Sequence, residues 1–272
     1  SSNGRFAPDS EPTLYLTEIA RQTDFPRMPA PSADGLAPRK YAVFVSYRHA
    51  DNQEPGRQWA TWLHHSLETY EVPPELVGKP NQRGNPIPAS LYPVFRDEEE
   101  LPADADLSNN IQLALKHSDL LVVLCSPRAV ASRFVAEEIR YFKELGRCDR
   151  ILALMLDGEP NASDDPAKQQ AGLVAEQECL PEPLRFGVPG PDGRVDWTLR
   201  TEPIAADVRP QGRPRQGFTT SAALREQLRQ EGRLTPAEIQ KQVSEYESRL
   251  HLAKLKVVAG ALGVPLGELT RR

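Results

Sequence analysis

After its first residue, the stretch Asp119–Cys125 is apolar without a break, and it runs directly into SPRAVASRFVAEEIRYF, Ser126 to Phe142. An unbroken apolar run of this length fits a strand covered on both faces, because a half-wet strand would alternate. A short loop then opens into a helix. A chain built from such units needs a sheet with helices packed on each side of it. Near the N-terminal end of the helix, Phe134 and Glu138 stand four residues apart and therefore share one face.

The same pattern recurs along the chain. Tyr41–Val45 is a second apolar run, and Gly56–Tyr70 follows with Trp59, Trp62, Leu63, Leu67 and Tyr70 at helical spacing. A Pro- and Gly-rich segment leads to a strand over Leu91–Phe95. Pro93 within it has no N–H for a sheet ladder, which puts this strand at an edge. Leu107, Ile111, Ala114 and Leu115 mark the inner face of the next helix. Ser132–Leu145 is the third helix and Ile151–Leu156 the fourth strand. Strand–helix alternation at this spacing predicts right-handed βαβ units and a parallel sheet. The expected fold is α/β and flavodoxin-like, with strand order 2-1-3-4-5 and a helical C-terminal extension.

Three regions follow from these signals. Residues 1–38 form a Pro-rich leader or linker, and 39–218 the α/β domain. Residues 157–218 are an irregular insertion in which Val195–Leu199 is the candidate for a fifth strand. Residues 219–272 are the helical extension. There Thr235-Pro236-Ala237-Glu238 reads as an N-cap, a proline at the first helical position and a capping-box glutamate. Ile239, Val243, Tyr246, Leu250, Ala253 and Val257 form one stripe on a helix of about 25 residues ending near Gly260–Gly263. The stripe either docks on the sheet or meets a partner.

Composition removes several function classes. A net charge of −5 and a pI near 5.7 argue against general binding to nucleic-acid backbone. The basic stretch Arg209–Arg215 reads as a solvated loop. Three cysteines without a CxxC spacing fit free thiols in a reducing compartment. The opening residues show no signal-peptide pattern, and no apolar run is long enough for a bilayer, so the expected location is cytoplasmic with no membrane partner. The Asn161-Ala162-Ser163 sequon is then a chance match. There is no G-x-G-x-x-G and no Walker loop, and the five histidines are scattered, so neither a metal nor a bound cofactor is expected.

In sheets of this topology ligands bind beyond the carboxyl ends of the strands, where the strand order reverses. That crevice receives Ser46-Tyr47-Arg48-His49 from the first strand, and Ser126-Pro127 leading to Phe134 and Glu138 from the third. A cation, two aromatic rings and a carboxylate suit a ligand with phosphates, flat rings and a ribose. Glu137 points about 100° away from Glu138 on the helix and should be dispensable.

FVSYRHAD, VFRDEEELPADADLSNNIQLALKHSDLLVVLCSPRAVASRFVAEEI and the strand after them resemble a Toll/interleukin-1 receptor (TIR) domain of bacterial type, over about residues 39–160. TIR domains divide into adaptor scaffolds and NAD-cleaving enzymes. The enzymes carry a glutamate four residues after an aromatic, usually tryptophan, which here corresponds to Glu138 and Phe134. By the same resemblance Tyr47 and Arg48 line the NAD pocket, Asp97 and Leu101 flank it, and Arg96–Leu107 is the mobile BB loop.

The resemblance implies an NAD+ nucleosidase with NAD+ as substrate rather than cofactor. It also implies self-association through the 96–107 loop, an activating sensor, and a role in anti-phage defence. The rival expectations are a non-enzymatic TIR scaffold and a virulence factor that interferes with host TIR signalling.

Overall fold

The computed structural model describes residues 40–96, 107–212 and 215–270. Asp97, Leu101, most of the 96–107 loop and the leader 1–38 lie outside them. A five-stranded, all-parallel sheet is built from β1 (Tyr41–Ser46), β2 (Val94–Phe95), β3 (Ser118–Cys125), β4 (Ile151–Met155) and a last strand, Ile204–Asp207. The order is β2, β1, β3, β4 and then that last strand. This is the expected doubly wound arrangement, and it reverses direction between β1 and β3.

One expectation is corrected. Val195–Leu199 does not join the sheet. Phe186–Pro189 (β5) and Val195–Arg200 (β6) pair antiparallel as a separate hairpin, and Ile204–Asp207 (β7) takes the outer position beside β4. The reason lies in the pattern. VDWTLR alternates apolar and polar residues, which suits a ribbon with one wet face, and none of its residues is fully buried. The second strand is also shorter than expected, Val94–Phe95, and it is an edge as Pro93 requires.

Strand alternation assigns the two layers. Val43, Val45, Leu120, Val122, Leu124, Leu152, Leu154 and Ala206 face one apolar cluster. It is completed by Trp59, Leu63 and Leu67 of α1 (Trp59–Glu68) and by the long C-terminal helix. On the opposite face α2 (Leu107–Lys116) and α3 (Arg133–Glu144) cover β1 and β3, burying Ala114, Leu115, Val135, Ile139 and Phe142.

The extension folds as α4 (Ser221–Glu231) and α5 (Pro236–Leu262). At the start of α5, Thr235 Oγ1 accepts from the Glu238 N–H, while Glu238 Oε2 accepts from the Thr235 N–H at 2.8 Å. At its end Gly263 takes the left-handed conformation, φ 70°, which glycine adopts without the steric cost of a side chain. Ile239, Val243, Tyr246, Leu250, Ala253 and Val257 are all buried in the cluster shared with the sheet. Asn81 Nδ2 donates to the Leu262 carbonyl and Arg83 to the Gly260 carbonyl, so the loop before β2 closes the end of α5.

The expectation for the basic stretch is corrected at Arg209 alone. Arg209 is buried, pairs with Asp207 and Glu159, and donates to the Gly158 carbonyl at 2.6 Å. Carboxylates from two segments compensate its desolvation, so it pins the insertion to β7 rather than standing in solvent.

Candidate active site

In sheets of this topology the crevice lies at the carboxyl ends of the strands where the order reverses, here between β1 and β3. Ser46, the last residue of β1, shares the parity of Phe44 and therefore faces the layer that contains α3. Its Oγ donates to Glu138 Oε2 at 2.5 Å. Glu138 lies on the second turn of α3 and is only 8% exposed; Ser46 is 1% exposed. A carboxylate this buried persists only with hydrogen-bonding partners, and the serine hydroxyl supplies one that also fixes its direction.

The start of α3 is set by Ser132, whose Oγ accepts from the Val135 N–H. This places Phe134 at the second helical position, one turn before Glu138. Phe134 is 57% exposed, with the Arg133 guanidinium 5.4 Å from its ring centroid. Glu137 points elsewhere and pairs with Arg133 at 3.3 Å.

Of the other predicted residues, Arg48 is exposed just beyond β1. Tyr47 is buried, and its ring joins the apolar cluster on the α1 and α5 face, 5.3 Å from the His49 ring. Asp97 and Leu101 are outside the described residues. Ser46 and Glu138 are thus in direct contact at this end of the sheet, with Arg48 exposed two residues after Ser46 and Phe134 exposed one turn before Glu138.

Two buried polar contacts are not legible in the sequence. The pairing of Ser46 with Glu138 is one, although strand parity turns Ser46 toward the third helix. The other involves Asp51. It sits in the turn His49–Asn52 after β1, only 3% exposed, and its Oδ2 accepts from Ser126 Oγ at 2.5 Å. Burial pushes the Asp51 carboxyl above its ordinary value, and the charge of Asp157 adds to this. The Ser126 hydroxyl and the Arg128 guanidinium pull the other way. The thiol of Cys125, at the end of β3, is pushed well up by burial and is a packing residue.

A parallel sheet in the order β2-β1-β3-β4-β7 is that of a doubly wound α/β protein, and Glu138 lies beside its reversal. Residues 43–177 match the family model described as TIR domain, and the chain carries a TIR domain. A curated relative, the NAD(+) hydrolase ApTIR of Actinoplanes sp. (strain ATCC 31044 / CBS 674.73 / SE50/110), is 38% identical over 120 residues. That likeness covers 44% of this chain and 14% of the relative. Among solved structures, the TIR domains of the activated Roq1 resistosome directly recognizing the pathogen effector XopQ show 18% identity and a TM-score of 0.33. The match covers 48% of this chain and 68% of that one.

Proposed function

We propose that this TIR domain is an NAD+ nucleosidase, cleaving the nicotinamide–ribose bond to give nicotinamide and ADP-ribose or a cyclic ADP-ribose isomer. The observation that carries the reading is Glu138, a buried carboxylate held by Ser46 at the end of β1 in a TIR domain. The likeness to a protein named as an NAD(+) hydrolase supports it.

The chemistry asks little more of the site. Nicotinamide leaves as a neutral pyridine from a pyridinium, so the leaving group needs no general acid, unlike an ordinary glycoside served by two carboxylates. One carboxylate holds the ribose hydroxyls and stabilises the positive charge that grows on the sugar. The Ser46 O–H restrains that carboxylate before substrate arrives. Phe134 offers a flat exposed face one helical turn away, and Arg48 a cation for the pyrophosphate. Water, or a nucleophile of the same substrate, then takes the ribosyl carbon.

The active state is an assembly in which the 96–107 loop of one protomer completes the site of its neighbour, triggered by a sensor. Its role is anti-phage defence, by depletion of NAD+ or production of a nucleotide signal. The test is nicotinamide release from NAD+ by wild type and Glu138→Gln across a protein dilution series. Wild type is expected to release nicotinamide with a specific activity that rises with protein concentration. The variant should be at least about 100-fold slower at an unchanged melting temperature. A wild type silent at every concentration, crowded or not, leaves the scaffold reading in place. A variant as fast as wild type removes Glu138 from the mechanism.

A further inference from the structure

Two polar ties cross the crevice. The first joins Ser46, at the end of β1, to Glu138 on α3. The second joins Asp51 to Ser126, the residue that follows β3. Between Ser46 and Asp51 lies the short segment 47–50, which carries Arg48. The segment is therefore fastened at both ends to the chain that leads from β3 into α3.

The second tie is built with care. Ser126 caps the one-turn helix Pro127–Val130: its Oγ accepts from the Ala129 N–H at 3.0 Å while its own O–H donates to Asp51. A hydroxyl can do both at once. Arg128, from the same turn, reaches back with Nη1 to the Ala50 carbonyl at 3.1 Å and with Nη2 to Glu54 at 2.9 Å. The next residue, Asn52, is fixed independently, since its Oδ1 accepts from the Thr61 N–H at 3.1 Å. Thr61 Oγ1 in turn accepts from Arg96 Nη1 at 2.6 Å, at the end of β2. The turn His49–Asn52 thus gathers the ends of three neighbouring strands.

A buried carboxylate is a costly way to fasten a turn, because it must be desolvated. What it supplies and an apolar residue does not is directed hydrogen bonding, here to Ser126. We infer that Asp51 is a positioning residue that holds the Arg48 wall of the crevice against the β3–α3 wall, and so sets the site for its substrate. This rests on the reading of the Glu138 crevice as the NAD+ site. Asp51 acts through the turn and touches no reacting atom.

Two measurements test it on the whole chain. Amide hydrogen exchange comes first, since it needs no activity. Asp51→Ala should speed exchange across 47–52 and leave β1 and β3 protected, while Asp51→Asn, which keeps an acceptor for Ser126, should not. Steady-state kinetics come second. Asp51→Ala should raise KM for NAD+ about tenfold with kcat within about twofold, the signature of lost binding rather than lost chemistry.

Asp51→Asn should restore both readouts. Ser126→Ala removes the same hydrogen bond from the other side and should reproduce the split, which keeps the test alive if Asp51→Ala folds poorly. Unchanged exchange in Asp51→Ala and Ser126→Ala overturns the tie. Faster exchange with KM unmoved, or with kcat falling instead, overturns its role in setting the site. If wild type releases no nicotinamide, the enzyme reading falls by itself, and the exchange measurement still decides whether Asp51 holds the wall.

Discussion

The crevice at the ends of β1 and β3 and the seam between α5 and the sheet are held by opposite means. The seam is an apolar stripe, Ile239 to Val257, closed at one end by a capping box and at the other by a left-handed glycine. The crevice is held by hydroxyl–carboxylate pairs that are almost wholly buried, Ser46 with Glu138 and Ser126 with Asp51. Burying apolar surface needs only size and spacing, so it tolerates small errors. A buried polar pair depends on both partners, and losing one leaves the other desolvated and unmatched. Stability is concentrated in the first region and geometry in the second.

The comparison can be broken most sharply at Glu138. Glu138→Gln should lower nicotinamide release at least about 100-fold while denaturant unfolding shifts little, whereas a seam substitution should do the reverse. Tyr246→Phe is the seam counterpart. The Tyr246 hydroxyl accepts from the Phe218 N–H at 2.7 Å and has the Val208 carbonyl within 2.9 Å, and burial pushes its ionisation up. Removing it strands a buried N–H, which should cost about 1–3 kcal/mol of unfolding free energy in a urea titration and leave the turnover of folded protein unchanged.

A subtler test uses pH. Because the folded chain holds the Asp51 proton to higher pH than the unfolded chain does, the stabilisation tied to that proton is complete below the unfolded value. It is lost as pH rises through the folded one. Asp51→Asn mimics the protonated form, so it should melt about 2 °C higher at neutral pH, and the gap should close in acid. Thermal melts of both proteins from acid to neutral pH measure this, and a gap that widens in acid would reverse the sign. The smallest effect is expected at Glu137. Its exposed pair with Arg133 contributes well under about 1 kcal/mol, and Glu137→Ala should match wild type in both melting and turnover.

What the sequence revealed follows the same division. β1, β3 and β4 are read correctly because each is a local apolar run, and α5 because its capping box, stripe and terminal glycine lie close together in the chain. Glu138 was reachable through its one-turn spacing from Phe134. The pairings were not, neither Ser46 with Glu138 nor Ser126 with Asp51, because these residues are 92 and 75 positions apart. No local period records such a meeting. The fifth position of the sheet was missed for a related reason. β7 is four residues long, ends in Asp207, and leaves Ile204 exposed, so VDWTLR carries the stronger strand pattern although it pairs elsewhere.

The clasp at the end of α5 bears on how the chain matures during synthesis. Asn81 and Leu262 are joined across 181 positions, and Trp59, Leu63 and Leu67 share their cover with residues of α5. A ribosome that has completed the segment matching the TIR family has therefore released a domain whose first helix still lacks part of its apolar partner. Chains emerge at roughly 5–20 residues per second, so that surface stays open for some seconds before α5 arrives. In that interval the nascent domain exposes the apolar face that α5 later covers, and a protein cut before α5 would keep that exposure permanently.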